Sequence, residues 1–262
     1  MAKTFPKGKR KSYRKKTVSK SKGKAFVKKV QAIIHADIET KQAFHSITAE
    51  NFNSGINGST DCKRIVPTIV QGTGDYQRIG DQLKAMSLSV RGAIVYNPTI
   101  LPVSQYGTYA NARLGLRLMV VQPRQYANLD DVQLYSPTWT QLLLKKGGNV
   151  VGFTGVLSDL WAPINSDSII KYYDRVMYLN APYQVTAVGS QDLIGSTKMI
   201  SIKIKCRNKV LKYDNSISTG SQPTNYSPVL LIGYVHMDGS SPDVSTTAIQ
   251  MSFDSVLNYE DA

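Results

Sequence analysis

Residues 86–96 read MSLSVRGAIVY, and their alternation indicates the fold class. The apolar positions of this stretch are Met86, Leu88, Val90, Ile94 and Tyr96, and the polar positions between them include Ser87, Ser89 and Arg91. Successive side chains of a strand point to opposite faces, so a period of two predicts a β-strand with one buried face. Residues 113–121 (RLGLRLMVV) repeat the pattern, with Leu114, Leu116, Leu118 and Val120 alternating with Arg113, Gly115 and Arg117.

Further strands are predicted at 169–179, 199–212, 228–237 and 247–256, with weaker ones at 38–48 and 63–70. Pro67 has no backbone N–H to donate to a neighbouring strand, so we expect the segment 63–70 at the edge of a sheet. Residues 228–237 (PVLLIGYVHM) are apolar on both faces, as a central strand or a subunit contact would be. Asp174 and Arg175 interrupt the apolar run 169–179, which predicts an exposed or intersubunit portion there.

Two short helices accompany these strands. Residues 24–36 (KAFVKKVQAIIHA) have apolar residues at helical spacing. Ser136 and Pro137 resemble an N-cap and a first helical residue, which predicts a helix to Lys146 that Gly147 and Gly148 end. The connections between strands are long and rich in Gly, Pro, Asn and Ser. About eight antiparallel strands with such loops favour an all-β jelly roll, two packed four-stranded antiparallel sheets.

The first 29 residues form a separate arm. They hold 13 of the 32 basic residues and none of the 18 acidic ones, so residues 30–262 hold 32 − 13 = 19 basic residues against 18 acidic ones. A segment this charged cannot bury enough apolar surface to order itself, so we expect a disordered arm (1–29) and one folded domain (30–262). Such an arm suits a polyanion, because each neutralised phosphate releases counterions without any reading of sequence.

The candidate nucleic-acid-binding residues are Lys3, Lys7, Lys9, Arg10, Lys11, Arg14, Lys15, Lys16, Lys20, Lys22, Lys24, Lys28 and Lys29. Seven of them, Lys7, Lys9, Arg10, Lys11, Arg14, Lys15 and Lys16, also fit a nuclear-import signal. A solubility tail or a simple nuclear-import signal is the plainer alternative, but thirteen cations exceed what an import signal needs. Membrane insertion is not expected, because the longest apolar run, 229–235, is too short to span a bilayer and no signal peptide is present.

The usual catalytic and metal-binding patterns are missing. His35, His45 and His236 are isolated, and Cys62 and Cys206 have no metal-ligand spacing. Both cysteines are expected as small buried side chains in a reducing compartment, with a single disulfide between them left open. We therefore expect no enzyme activity, no catalytic residues, no cofactor and no metal site.

Two other motifs could indicate a ligand site, but a structural interpretation is simpler for each. Gly72, Gly74 and Gly80 do not follow the dinucleotide-binding spacing, and they favour a tight turn before a strand. Asp130 and Asp131 could hold a divalent cation between subunits, although a solvated loop or helix-capping pair is the simpler interpretation.

A second basic feature is the stripe of Lys203, Lys205 and Arg207, predicted on the outer face of the strand 199–212. It could bind phosphate or a sulfated glycan, and a solvated strand face is the default reading. Near Lys171 and Arg175 stand three tyrosines, Tyr172, Tyr173 and Tyr178. Aromatic residues beside cations on a sheet are the stacking platforms of single-strand-binding modules.

Several stretches, taken in order after the basic arm, carry a family resemblance. They are 38–41 (IETK), 72–83 (GTGDYQRIGDQL), 87–96 (SLSVRGAIVY), 169–179 (IIKYYDRVMYL) and 198–213 (KMISIKIKCRNKVLKY). Together with the arm and a strand near the C-terminus, they resemble the capsid proteins of small circular Rep-encoding single-stranded DNA viruses of eukaryotes. Those proteins are similar in turn to capsid proteins of small icosahedral plant RNA viruses.

The resemblance implies a single viral jelly roll that assembles with copies of itself into a small icosahedral shell, T=1 with sixty subunits. It implies that the arm lies inside the particle, packages single-stranded DNA independently of sequence, and engages host import receptors. The protein would then occur in the virion and, during assembly, in the host nucleus and cytoplasm. The alternative is a non-assembling single-stranded nucleic-acid-binding protein of the movement or single-strand-binding type.

Overall fold

The computed structural model describes residues 26–27, 29–30, 40–56, 61–96, 113–125, 136–180, 183–184, 193–194, 196–215, 221–239 and 247–261. The chain forms two compact units, Met1–Glu39 and Thr40–Ala262. In the first unit, the four described residues, Phe26, Val27, Lys29 and Val30, are helical and exposed, within the helix predicted for 24–36. No helix of the described residues is long and apolar enough to cross a membrane.

The second unit is built almost entirely from strands. In chain order these are β1 (Thr40–Asn53), β2 (Cys62–Arg64), β3 (Gln82–Tyr96), β4 (Leu114–Pro123), β5 (Leu144–Lys146), β6 (Asn149–Val151), β7 (Ile169–Leu179), β8 (Tyr183–Gln184), β9 (Leu193–Ile194), β10 (Thr197–Lys212), β11 (Val229–His236) and β12 (Thr247–Asp261). One short helix, α1 (Ser136–Gln141), and one 3₁₀ turn, Leu157–Leu160, complete the described elements.

Eight of the strands form two four-stranded sheets in which every pairing is antiparallel. The first sheet has the order β1-β12-β3-β10, and the second has the order β2-β11-β4-β7. Taken in chain order, the first of these eight strands pairs with the eighth, the second with the seventh, the third with the sixth and the fourth with the fifth. This nested pairing, wound into two sheets, is a jelly roll, and it confirms the predicted fold class.

The principal core lies between the inner faces of the two sheets. On β3, Leu88, Val90, Ile94 and Tyr96 are fully buried and Arg91 is exposed, as the alternation predicted. The predicted inward residues of β10, Ile200, Ile202 and Ile204, are also buried. Burying each aliphatic side chain of this kind contributes about 1.5–3 kcal/mol to folding. Hydrophobic burial between the sheets is therefore the main force that holds them together.

Strand β4 departs from its prediction. The sequence predicted one solvated face, but all ten residues of β4 are buried. Residues 139–169 pack across the outer face of the second sheet and form a second apolar cluster there. Its members from this segment include Trp139, Leu143, Leu144, Phe153 and Leu160. The cover buries the outer face of β11, and the core between the sheets buries its inner face. This confirms β11 as a central strand whose two apolar faces pack within the chain.

Arg117 is a charged residue that this cover encloses. Its side chain is 3% exposed, and its guanidinium makes a two-pronged ion pair with Asp174, at 2.9 and 2.8 Å. Nη1 also donates to the carbonyls of Asp159 and Ala162, each at 2.6 Å. Strand β7 has the exposed portion that was predicted, at Arg175, whereas Asp174 is half-buried and pairs with Arg117 within the chain.

The helix predicted from Ser136 to Lys146 is too long. Helix α1 ends at Gln141, and residues 144–146 form β5, which pairs with β6. Gly147 and Gly148 are the turn between these two strands, with φ of 54° and 90°. Left-handed backbone of this kind is accessible to glycine at little cost, so the two glycines make a hairpin rather than end a helix.

Polar contacts bridge the edge strands β1 and β2. Lys63 pairs with Glu50 at 2.7 Å, and the Arg64 guanidinium donates to Nδ1 of His45 at 3.3 Å. Strand β2 is the edge of the second sheet, where the segment containing Pro67 was predicted. These contacts connect the two sheets on one side of the sandwich.

Candidate nucleic-acid interface

Most of the basic arm lies outside the described residues. Of the thirteen candidate cations, only Lys29 is described, and it is exposed in a helical segment. Beside it the apolar side chains of Phe26, Val27 and Val30 are 69%, 52% and 37% exposed. The role of the arm therefore stays a prediction from its charge.

The second basic feature lies on the outer face of the first sheet. Lys203 and Lys205 alternate with the buried Ile202 and Ile204 and point to solvent. The register places Lys205 in one row with Ser87, Asn258 and Gln42, and Lys203 in the next row with Ser89, Val256 and Phe44.

Hydrogen bonds between side chains order this outer face. The Gln42 amide donates to Asn258 at 3.0 Å, and the Asn258 amide donates to Ser87 at 3.0 Å. Two rows further, Ser46 donates to Asp254 at 2.5 Å, and Asp254 lies opposite Arg91 in the register. Sequence reasoning missed Arg91 as part of the basic face, although its outward position on β3 was available as a signal.

Lys203 and Lys205 make no ion pair with any described residue. Alternate residues of a strand lie about 6.8 Å apart, which leaves both ammonium groups open to solvent or to a phosphate chain. The face can therefore hold an extended polyanion by charge, without selecting among bases.

Arg207 does not continue the stripe in strand register. Arg207 and Asn208 have φ of 54° and 58°, and the pairing with β3 shifts between Lys205 and Lys209. Beyond this bulge, the Lys209 ammonium lies over the Tyr226 ring, 4.6 Å from its centre. Asparagine tolerates left-handed backbone better than most residues, which was a signal for the bulge in the sequence.

The tyrosines on β7 do not form one stacking platform. Tyr172 turns inward, donates to the Gln122 side chain at 3.1 Å and meets Tyr226 edge to face. Burial raises the pKa of Tyr172 to about 12. Tyr173 is half-buried against the core, and Tyr178 is exposed with the Arg113 guanidinium 5.1 Å from its ring centre. Because only Tyr178 is exposed, β7 does not offer the row of aromatic rings that a single-strand-binding module needs.

Residues 72–80, which include Gly72, Gly74 and Gly80, form a loop whose interior is occupied by side chains of the loop itself. The Gln77 amide oxygen accepts from the Gly74 backbone N–H at 2.9 Å and packs over Gly72. Arg78 is fully buried, donates to the carbonyls of Ile69 and Gly80, and stacks on Tyr213. The loop is a rigid connection into β3, as the predicted turn required.

The cysteines, histidines and aspartates considered as metal or disulfide residues form no common site in the described part of the chain. Cys62 is buried, Cys206 is half-buried, and both are free thiols. Burial raises the pKa of Cys62 well above its ordinary value, which makes it unreactive. Among the described residues no group of three or more His, Cys, Asp and Glu side chains could hold a metal. His35, Asp130 and Asp131 lie outside the described residues.

Comparison with known proteins adds little to this picture. No protein-family model matches the chain, and no curated protein matches it in sequence. One solved structure with a weak likeness is a full particle of Israeli acute paralysis virus heated to 63 degrees, at 12% identity and a TM-score of 0.27. The match covers 85% of this chain and 66%, just under two thirds, of the other. A TM-score this low does not establish a common fold, so the jelly-roll assignment depends on the strand pairing alone.

Proposed function

We propose that this chain is the capsid protein of a small virus, that it assembles into a T=1 icosahedral shell, and that its basic arm packages single-stranded DNA. The observation that carries the proposal is the nested pairing of the eight strands into two four-stranded sheets. Jelly rolls occur in viral capsid and lectin domains and in cupins. An arm of 13 cations and no acids, joined to such a domain, favours the first of these.

The charge distribution supports packaging by the arm. Residues 30–262 are close to neutral, with 19 basic and 18 acidic residues, so identical subunits can pack without strong mutual repulsion. Concentrated nucleic acid repels itself, and many copies of the arm would neutralise it independently of sequence. The preference for DNA, the relation to circular Rep-encoding viruses and the use of nuclear import depend on the sequence resemblance.

An exposed apolar patch on the body suits contacts between subunits. Phe44, Val70, Tyr76 and Ile79 are 55%, 53%, 64% and 64% exposed. The rings of Phe44 and Tyr76 meet edge to face, with centres 5.9 Å apart. The buried Arg78 fixes the loop that presents Tyr76 and Ile79. Clustered apolar side chains on a rigid surface are typical of protein–protein contacts.

The second candidate is a non-assembling single-stranded nucleic-acid-binding protein. The observation that favours it is the pair of solvent-facing ammonium groups of Lys203 and Lys205 on an ordered polar sheet face. In that case the folded body would bind nucleic acid without the arm.

Size-exclusion chromatography and negative-stain microscopy of the purified protein test both candidates, together with the ratio of nucleic-acid to protein absorbance. We expect uniform spheres of many subunits that contain nucleic acid. Deletion of residues 1–29 should leave empty shells of the same diameter. A monomer or dimer at every salt concentration and pH would contradict the capsid proposal. Nucleic-acid binding that survives the deletion in such a small species would support the second candidate.

A further inference from the structure

A cavity of about 500 Å³ opens on the outer side of the second sheet, beside the edge strand β7. Arg117 and Asp174, the buried ion pair, contribute to its lining, and the exposed Trp161 forms one wall. Arg124 and Lys171, both exposed, complete the set of charged lining residues. A volume of this size is within the range of small-ligand sites.

The lining carries a net positive charge. The contacts of Arg117 neutralise Asp174, the one carboxylate among the described lining residues. Arg124 and Lys171 then remain as two cations without a lining counter-charge. The nearby Asp167 lies outside the lining and pairs with Lys145 at 2.5 Å. Lys145 contributes more than the charge of Arg124 does to the lowered pKa of Asp167.

Trp161 is held on a rigid backbone although its side chain is 66% exposed. It follows the 3₁₀ turn directly, and Arg117 donates to the carbonyls on both sides of it, Asp159 and Ala162. The Arg124 Nε donates to the Ser166 carbonyl at 2.9 Å, which fixes that guanidinium beside the cavity. The aromatic face and one cation are therefore preorganised before any ligand arrives.

We propose that this cavity binds one nucleotide of a single-stranded nucleic acid. The base stacks on the indole of Trp161, and Arg124 and Lys171 bind the adjoining phosphate. Stacking on an aromatic side chain next to cations is how proteins hold single strands without selecting a sequence. The inference deepens the proposed packaging function: it gives the folded body a contact with the packaged strand in addition to the arm.

Tryptophan fluorescence of the full-length protein tests this site. The chain has two tryptophans, and Trp139 is fully buried, so Trp161 is the one that a ligand can reach. A short oligothymidylate, followed at a wavelength where thymine does not absorb, should quench the emission to saturation. Stacking depends on salt less than arm binding does, so quenching should persist at high salt.

Paired variants separate the cavity from general electrostatics. Arg124→Gln with Lys171→Gln removes both phosphate contacts and should weaken the quenching affinity by about 5-fold, because each lost exposed charge contact costs roughly twofold or more. Arg175→Gln, an exposed cation on β7 outside the cavity lining, should leave the affinity unchanged. Trp161→Phe should remove the quenching while the far-ultraviolet circular dichroism, which reports the strands rather than the aromatic side chains, stays unchanged.

Three outcomes would overturn the proposal. They are no saturable quenching, equal loss of affinity in the Arg175→Gln control, and displacement of the oligonucleotide by a sulfated glycan that binds this site more tightly. Particle formation and nucleic-acid content are measured on the same variants. Normal filled shells without quenching would reject the cavity alone, whereas a failure to form shells in the unaltered protein would reject the proposed function.

Discussion

Arg117 shows how one residue can join two layers of the molecule. It belongs to β4, and its four contacts reach Asp174 on β7 and the carbonyls on either side of Trp161. A guanidinium has five N–H donors and no acceptor, so carbonyls and a carboxylate satisfy it when it is buried. The residue thereby fixes the 3₁₀ turn against the second sheet.

Replacing Arg117 by Ala should lower the free energy of unfolding by about 3–5 kcal/mol, because Asp174 and two carbonyls lose their partner in a largely buried site. Urea denaturation followed by circular dichroism measures the change. The control is Arg175→Ala, an exposed neighbour on β7, which should change stability by less than about 0.5 kcal/mol. Similar losses in the two variants would contradict the assigned role of Arg117.

His45 should make stability depend on pH. Burial first, and then the charge of Arg64, lower its pKa from the ordinary 6.5. Arginine has no acceptor, so the bond from Arg64 requires an unprotonated Nδ1. Because the pKa of His45 is lower in the folded protein than in the unfolded chain, unprotonated His45 contributes its full stabilisation above about pH 6.5. That stabilisation is lost as the pH falls from there toward the pKa of the folded protein.

The measurement is urea unfolding of wild type and of His45→Gln between about pH 7.5 and about pH 5.5. Glutamine keeps a hydrogen-bond acceptor but cannot take up a proton in this range. The decline in stability on acidification should therefore be smaller in the variant. Burial also lowers the pKa of His236, so part of the slope remains. A slope identical to that of wild type would refute the role of His45.

Besides the cavity at Trp161, strand β10 and the basic arm are candidate contacts for nucleic acid. Under the capsid proposal the arm dominates, and the stripe on β10 is a solvated strand face. The affinity for single-stranded DNA should then depend less steeply on salt in the double variant Lys15→Gln with Lys16→Gln. Each lost phosphate contact reduces the slope of log affinity against log salt by about 0.7, so the two together reduce it by about 1.4. Lys203→Gln with Lys205→Gln should leave the slope unchanged. Filter binding across a salt series measures both, and the reverse result would favour the non-assembling binder.

Assembly of the whole molecule should depend on the apolar patch around Tyr76. Tyr76→Ser with Ile79→Ser removes two exposed side chains that would be buried against another subunit. At roughly 1.5 kcal/mol each, or about 3 kcal/mol together, their loss should raise the concentration needed for assembly about a hundredfold. Light scattering measures assembly. Met199→Ser, at a position 76% exposed on β10, is the matched control and should assemble like wild type. Unchanged assembly of the double variant would exclude this patch as a subunit contact.

The all-β class, the inward faces of β3 and β10, the central position of β11 and the charge of the arm could all be predicted from the sequence. Each follows from a local property: a period of two, a run apolar on both faces, or a block of like charges. Local patterns failed where a distant segment changed the environment. The pattern of β4 predicted a solvated Arg117, and residues 139–169 cover it instead.

The sequence by itself determined the approximate positions of the eight strands in the two sheets and the location of the excess charge, because side-chain alternation and composition need no partner. It did not reveal the short strand β5, which was predicted as helix. Only the tertiary structure decided the nested pairing, in which Ser46 meets Asp254 across 208 residues of chain. It also decided the Arg117–Asp174 pair across 57 residues and the cavity beside Trp161. Such contacts form when distant segments bury apolar surface together, and that burial depends on the packed fold rather than on any single stretch of sequence.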